Sequence, residues 1–226
     1  VWNSRQTSWR HVTKLIAELH VEFEDGSNEI IQTDSSWKSS PSPIVFNGIR
    51  NGEHYDARLV QPGWDAAGFD DADWSAVKVI RPPGGCLEAM EMEPIRVTRT
   101  IKPTAHWQTP EGAYVFDTGQ NMAGIARITV EGEPGDEVVV RYSEKLKEDG
   151  VHINQGSISG FVRSGDFQTD RYVLAGEGKE TWRPRFVYHG FQYVEVSGCT
   201  GMPSIEALMM HTDVADSGGF SCDDET

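Results

Sequence analysis

Residues 181–196, TWRPRFVYHGFQYVEV, restrict the fold more than any other stretch of the chain. Phe186, Tyr188, Phe191, Tyr193 and Val196 place large β-favouring side chains around one glycine. Aromatic and β-branched residues in this density suit a pleated, half-buried surface. From Gln192 the pattern alternates, with Tyr193 and Glu195 on one side and Val194 and Val196 on the other. Gly190 interrupts the run, where a bulge or a close backbone approach is expected. The segment reads as the core strand of a β-sandwich.

The rest of the chain agrees with an all-β reading. Gly 23 and Pro 11 are spread over 226 residues, and no long helical pattern joins them. Short strands with frequent turn signals predict two consecutive jelly-roll or β-sandwich domains. A hairpin is expected from about Leu15 to Thr33, turning at Glu24-Asp25-Gly26-Ser27. Trp37 is expected to anchor a loop. Ile44–Phe46 reads as a short strand and Asn47–Tyr55 as a loop. In GWDAAGFDDADW, 63–74, the aspartates are expected to cap a turn that Phe69 and Trp74 pin to the core. Val77–Ile80 and Ile95–Ile101 read as strands. A connector bearing Trp107 lies between Pro103 and Pro110. Beyond it, Ala113–Phe116, Ile125–Val130, Glu137–Tyr142, Arg171–Leu174 and Ile205–His211 are further strands. Asp117–Asn121 reads as a loop between two of them, and His152–Asp166 as a Gly/Ser-rich loop. The expected division is 1–102, 103–215 and a linker at 216–226.

The formal net charge of −15 disfavours nucleic acid and anionic membranes as partners, and is compatible with neutral sugars and divalent cations. No apolar stretch approaches the length of a membrane-spanning helix. Cys86, Cys199 and Cys222 have no metal-ligand spacing and make no disulfide framework. There is no G-x-S-x-G elbow, phosphate-binding glycine loop or His/Cys metal pattern.

GFDDADW, NGEHYDARL, VFDTGQNMAG and QTDRYVLAGEGKETWRPRF, together with the opening segment, occur in an order and spacing that resemble the β-domains of bacterial α-L-rhamnosidases. The resemblance implies a large multidomain, inverting glycoside hydrolase that removes terminal α-L-rhamnose. Its catalytic acids would lie in a helical barrel following SGGFSCDDET, where Ser221 and Asp223 read as N-cap residues. The expectation is therefore a non-catalytic fragment cut at both ends, and no catalytic residue is assigned. Implied partners are a rhamnose-containing glycoside or polysaccharide and the protein's own C-terminal catalytic domain. Sandwich edges left open by missing strands favour a homodimer. The expected setting is periplasmic or extracellular in preference to cytoplasmic. Alternative readings are a galactose-binding-like accessory module of another glycosidase or lyase, and a purely structural interdomain module.

The best binding candidate is Asn51-Gly52-Glu53-His54-Tyr55-Asp56-Ala57-Arg58. Asn51 and Gly52 suit a tight turn, and Asn51, Glu53 and Asp56 offer the hard oxygens calcium prefers. Arg58 suits a bidentate carboxylate pair or sugar hydroxyls, and Trp64 a sugar face. The resemblance implies a calcium-dependent rhamnose-binding role for such a first domain; no other cofactor is expected. The competing reading makes Glu53, Asp56 and Arg58 a local ion pair and Trp64 a core residue. Asp117, Gln120 and Asn121 are secondary sugar candidates, with Asx-type turn bonding as their alternative use. His189 reads as a hydrogen-bonded structural residue.

Overall fold

The computed structural model describes residues 14–82, 84–86, 88–156, 159–162, 165–215, 217–219 and 221–223. These residues form strands and two short 3-10 turns. None of the described helical turns is long and apolar enough to cross a membrane. The chain divides into two compact units. One contains the described residues up to Pro41 and Pro62–Glu88; the other contains Ser42–Gln61 and the described residues from Ala89 onward.

In the first unit β1 (Glu18–Glu22) and β2 (Asn28–Gln32) form the expected hairpin, in register from Glu18↔Gln32 to Glu22↔Asn28. Gly26 takes φ +80°, and the Asp25 carboxylate accepts the Ser27 N–H at 2.9 Å, which closes the turn. β3 (Lys38–Ser39) pairs with β6 (Ser75–Ala76). The strand expected at 77–80 thus falls at 75–76. Asp70 accepts the Ala72 N–H at 3.0 Å, the expected cap of the acidic turn, but Phe69 and Trp74 meet each other edge to face and stay half-buried instead of pinning the turn to a buried core. Trp37 donates its indole N–H to the Gln32 carbonyl.

The second unit is a ten-stranded curled sheet. Its path runs β4 (Ile44–Gly48), β5 (Gly52–Asp56), β11 (Thr169–Val173), β10 (Glu137–Ser143), β13 (His189–Ser197), β9 (Tyr114–Glu131), β14 (Ser204–Thr212) and β7 (Ile95–Ile101). Strands β8 (Ala105–Gln108) and β12 (Lys179–Trp182) also pair with β9. β9 makes the curl. Its first part pairs with β8 and β13 and its second part with β12 and β14, so one strand serves both layers. The enclosed core follows the two-residue period: Val138, Val140 and Tyr142 of β10 face Val194, Val196 and Phe191 of β13. Ile128, Trp182, Leu174 and Ala207 close it.

Several expectations are corrected here. Asn47–Tyr55 is not a loop but the end of β4 and most of β5, because Asn47↔Glu53 and Gly48↔Gly52 pair across a tight turn. The Trp107 connector is strand β8, and its indole N–H donates to the Val151 carbonyl at 2.8 Å. Asp117–Asn121 lies inside continuous β9, with Gly119 at φ +76° absorbing the local twist. The opening segment divides at 183–188 into β12 and β13. The register shift in β13 falls between Phe191 and Tyr193 rather than at Gly190.

The compact units also cut across the expected boundary at 102. β5 is hydrogen-bonded in parallel to β11, with His54↔Arg171 and Tyr55↔Tyr172, and β7 pairs with β14. Two segments before residue 102 are therefore strands of the later sandwich.

Candidate functional site

The candidate segment 51–58 is ordered by its pairing with β11. Gly52 has φ +131°, and a Cβ there would lie 2.1 Å from the Thr169 carbonyl oxygen, so only glycine permits this strand approach. Asn51 donates its side-chain amide to the Asp166 carbonyl at 2.8 Å.

Glu53 is fully buried. Its carboxylate accepts three hydrogen bonds, from the backbone N–H of Arg185 (3.0 Å), the backbone N–H of Phe186 (3.1 Å) and the Asn47 side chain (3.1 Å). Burial pushes its pKa up, the nearby Asp170 charge adds to that, and the three donors oppose it. The Glu53 N–H donates to Asp170 Oδ1 at 2.8 Å.

Asp170, also fully buried, accepts the Tyr142 hydroxyl at 2.7 Å and lies 3.2 Å from His189 Nε2. A carboxylate only accepts, so the network assigns the imidazole hydrogen to Nε2. Nδ1 is then a buried acceptor with no partner among the described residues. The Tyr142 hydroxyl in turn accepts the Ala126 N–H, and burial raises its pKa well above the usual phenol value. His189 is thus a hydrogen-bonded structural residue, as expected.

The other candidates are placed apart. Asp56 binds Arg58 in a fork, Nε to Oδ1 at 2.9 Å and Nη2 to Oδ2 at 2.7 Å, and caps the 3-10 turn Ala57–Leu59. The Arg58 hydrogen bond holds the Asp56 pKa below the usual carboxylate range. The local pair is therefore Asp56–Arg58, and Glu53 takes no part in it. Trp64 belongs to the first unit and is 59% exposed, not core. Of the calcium set Asn51, Glu53 and Asp56, the Glu53 carboxylate accepts from Arg185 and the Asp56 carboxylate from Arg58, while Asn51 donates its amide to Asp166. Among the described residues no group of three or more His, Cys, Asp or Glu side chains is placed to hold a metal ion. Asp117 accepts the Gly119 N–H at 2.7 Å, the Asx-type turn bond, and Gln120 accepts from Arg99.

Sequence reasoning did not single out Asp170, Tyr142, Arg183 or Arg185. β5 leads into a cleft of about 810 Å³ lined by Tyr55, Val60, Ile95, Val97, Arg183 and Arg185, among others. The only sequence trace of it is the Arg-Pro-Arg step within the opening segment. A second cleft, of about 870 Å³, lies over β10 and β13 and is walled by Glu111, Asp149 and His152.

The fold defines the class as a curled all-β sandwich with a buried polar latch, and comparison with known proteins makes it specific. Residues 1–99 match the alpha-L-rhamnosidase N-terminal domain, and residues 107–212 match the bacterial alpha-L-rhamnosidase concanavalin-like domain. The chain belongs to the α-L-rhamnosidase family, as its N-terminal and concanavalin-like β-domains. An alpha-L-rhamnosidase of Streptomyces avermitilis is 37% identical over 88% of this chain and 19% of its own length. One from Formosa agariphila is 32% identical over 92% of this chain and 22% of its own. Among solved structures, the alpha-L-rhamnosidase from Dictyoglumus thermophilum superposes with a TM-score of 0.85 at 42% identity, covering 93% of this chain and 24% of that one. The Streptomyces avermitilis enzyme complexed with L-rhamnose gives 0.79 at 38% identity, covering 88% of this chain and 19% of that one. The chain thus spans about a fifth of the length of the curated relatives it matches.

Proposed function

We propose that the chain is the non-catalytic β-portion of an enzyme that hydrolyses terminal α-L-rhamnose from glycosides, and that it supports and helps load the substrate. The observation that carries this reading is the match of consecutive parts of the chain to two different domains of the same family. The chemistry of the buried acids supports it. Glycoside hydrolysis by the usual route needs two accessible carboxyl groups, about 5–5.5 Å apart for retention or about 6.5–9.5 Å for inversion. Glu53 and Asp170 are sealed from solvent and saturated with donors, so they serve the scaffold. Sugar loading rests on the cleft beside β5, where an apolar wall and guanidinium donors meet, the mix that saccharide sites use.

The test is an assay of the purified chain with an aryl α-L-rhamnoside, alongside the longer enzyme that contains it. The longer enzyme is expected to release rhamnose and the chain alone is not. Turnover by the chain alone would overturn the non-catalytic role, and an inactive longer enzyme would overturn the assignment of activity.

A further inference from the structure

The second cleft has walls from two distant parts of the chain. One is the turn 109–113 between β8 and β9, closed by the Thr109 N–H on the Ala113 carbonyl and the Gly112 N–H on the Thr109 carbonyl. The other is the turn 146–153 after β10, where Leu146 bridges Ile153, the Lys147 N–H donates to the His152 carbonyl and Gly150 takes φ +68°. Val139 and Arg141 of β10, with Glu195 and Ser197 of β13, form the floor.

Side-chain bonds join the walls at two depths. In a half-buried position, the Trp107 indole N–H donates to the Val151 carbonyl at 2.8 Å. At the exposed rim, His152 Nε2 lies 2.9 Å from Glu111 Oε2, across 41 residues of sequence. The other ring nitrogen, Nδ1, lies 2.6 Å from Asp149 Oδ2 within the same turn.

A charged imidazole has an N–H for each carboxylate, and a neutral one has a single N–H to share between them. Asp149 cannot withdraw, because its Oδ1 accepts the Val151 and His152 N–H groups at 2.9 and 3.1 Å, which pins the carboxylate against Nδ1. The remaining hydrogen therefore stays on Nδ1. Nε2 then turns a lone pair toward Glu111 Oε2, and two acceptors face each other at hydrogen-bond distance. Glu111 is the side that yields: its side chain is 69% exposed, and the next residue is Gly112 at φ +93°.

The other charged groups on the cleft are Lys147 of the same turn, Arg141 of β10, Arg171 of β11 and Glu195 of β13. Arg141 pairs with Glu195, and Arg171 with Glu137 and Asp166. Of these side-chain types only imidazole ordinarily titrates near neutrality. The bonds to Glu111 and then Asp149 raise the His152 pKa above 6.5, and His152 in return lowers that of Glu111. The contact across the rim is therefore complete below 6.5 and lost as pH rises through the raised value.

We propose that His152 and Glu111 form a proton-operated clasp across the second cleft, which holds its walls together while the imidazole is charged and lets the 109–113 turn swing outward about the Trp107–Val151 bond once the imidazole is neutral. The clasp governs access to the floor of Val139, Arg141, Glu195 and Ser197. It is independent of the sugar-loading reading of the cleft beside β5.

The test is NMR of the 226-residue chain with a soluble, uncharged gadolinium chelate, which broadens signals it can approach. Broadening of the Val139 and Ile153 methyls is expected to increase as the pH is raised from below 6.5, with the midpoint of the His152 ring titration. H152Q has no proton to lose and is expected to show no such step. E111Q, at an exposed position, is expected to lose the step as well, because an amide donates to a neutral Nε2 and accepts from a charged one. Broadening that stays flat across the His152 midpoint would overturn the proposal. So would a step that persists in H152Q, which would assign the opening to another group, or one that persists in E111Q, which would remove Glu111 as the partner.

Discussion

The carboxylate of Glu53 accepts the backbone N–H of Arg185 at 3.0 Å across 132 residues of sequence. This bond joins a strand from the part of the chain that matches the N-terminal domain to the segment that enters β13. Together with the parallel pairing of β5 on β11, it makes residues 42–61 part of the second compact unit. Removing the acid strands buried donors. Glu53→Ala is expected to lower unfolding free energy by about 2–4 kcal/mol, and Glu53→Gln by less because one acceptor remains. Urea denaturation reads this directly; equal midpoints for wild type and E53A would remove the latch from the account.

Asp170 is the acceptor for the Tyr142 hydroxyl, the Glu53 N–H and His189. Tyr142→Phe should cost about 1 kcal/mol and Asp170→Asn about 1–3 kcal/mol, with the double change costing less than the sum. A double-mutant cycle by denaturation measures the coupling. Strict additivity would mean that the hydroxyl and the carboxylate act independently.

His152 has a carboxylate on each ring nitrogen, Asp149 at 2.6 Å and Glu111 at 2.9 Å. Carboxylates only accept, so both nitrogens donate when the imidazole is charged. The bonds to Glu111 and then Asp149 raise the His152 pKa above 6.5, while His152 lowers that of Glu111, and the Val151 and His152 N–H groups lower that of Asp149. The sign follows from linkage. The His152 contribution is complete below 6.5 and is lost as pH rises through the raised value. The carboxylate contributions are lost as pH falls below 4.5 and 3.8. NMR titration should place the His152 midpoint above 6.5, and Glu111→Gln should lower it. A midpoint unmoved by that substitution would show that the contact is absent in solution.

Gly124 sits where β9 crosses β14. A Cβ there would lie 2.2 Å from the Leu208 carbonyl oxygen, a backbone atom that cannot swing aside. Gly124→Ala is expected to cost at least about 2 kcal/mol by forcing the strands apart. Gly150→Ala meets nothing within 4 Å but has φ +68°, so its smaller cost should be purely conformational. A thermal melt ranking G150A below G124A would contradict this.

The sequence by itself determined the all-β class, the 18–32 hairpin, the acidic turn before Trp74 and the family. Each of these is written locally: alternation sets a strand face, Asp and Gly set a turn, and a series of motifs sets a resemblance. It also placed His189 in a structural role, because a single imidazole in an aromatic strand has no catalytic company. Only the tertiary structure decided that Glu53 is buried as a backbone acceptor while Asp56 takes Arg58. The two acids are three residues apart and look alike in sequence, but β5 turns one inward against β13 and leaves the other at the cap of a 3-10 turn. The same holds for Trp107, flanked by proline-bounded loops in sequence yet paired in a strand, and for Asp117–Asn121, a turn-like motif carried inside β9. Long-range hydrogen bonds override local turn preference when the partner strand supplies the missing donors and acceptors. The cleft beside β5 has the same origin: its walls come from β5, β7 and the segment after β12, and the Arg183-Pro184-Arg185 step is its one local trace.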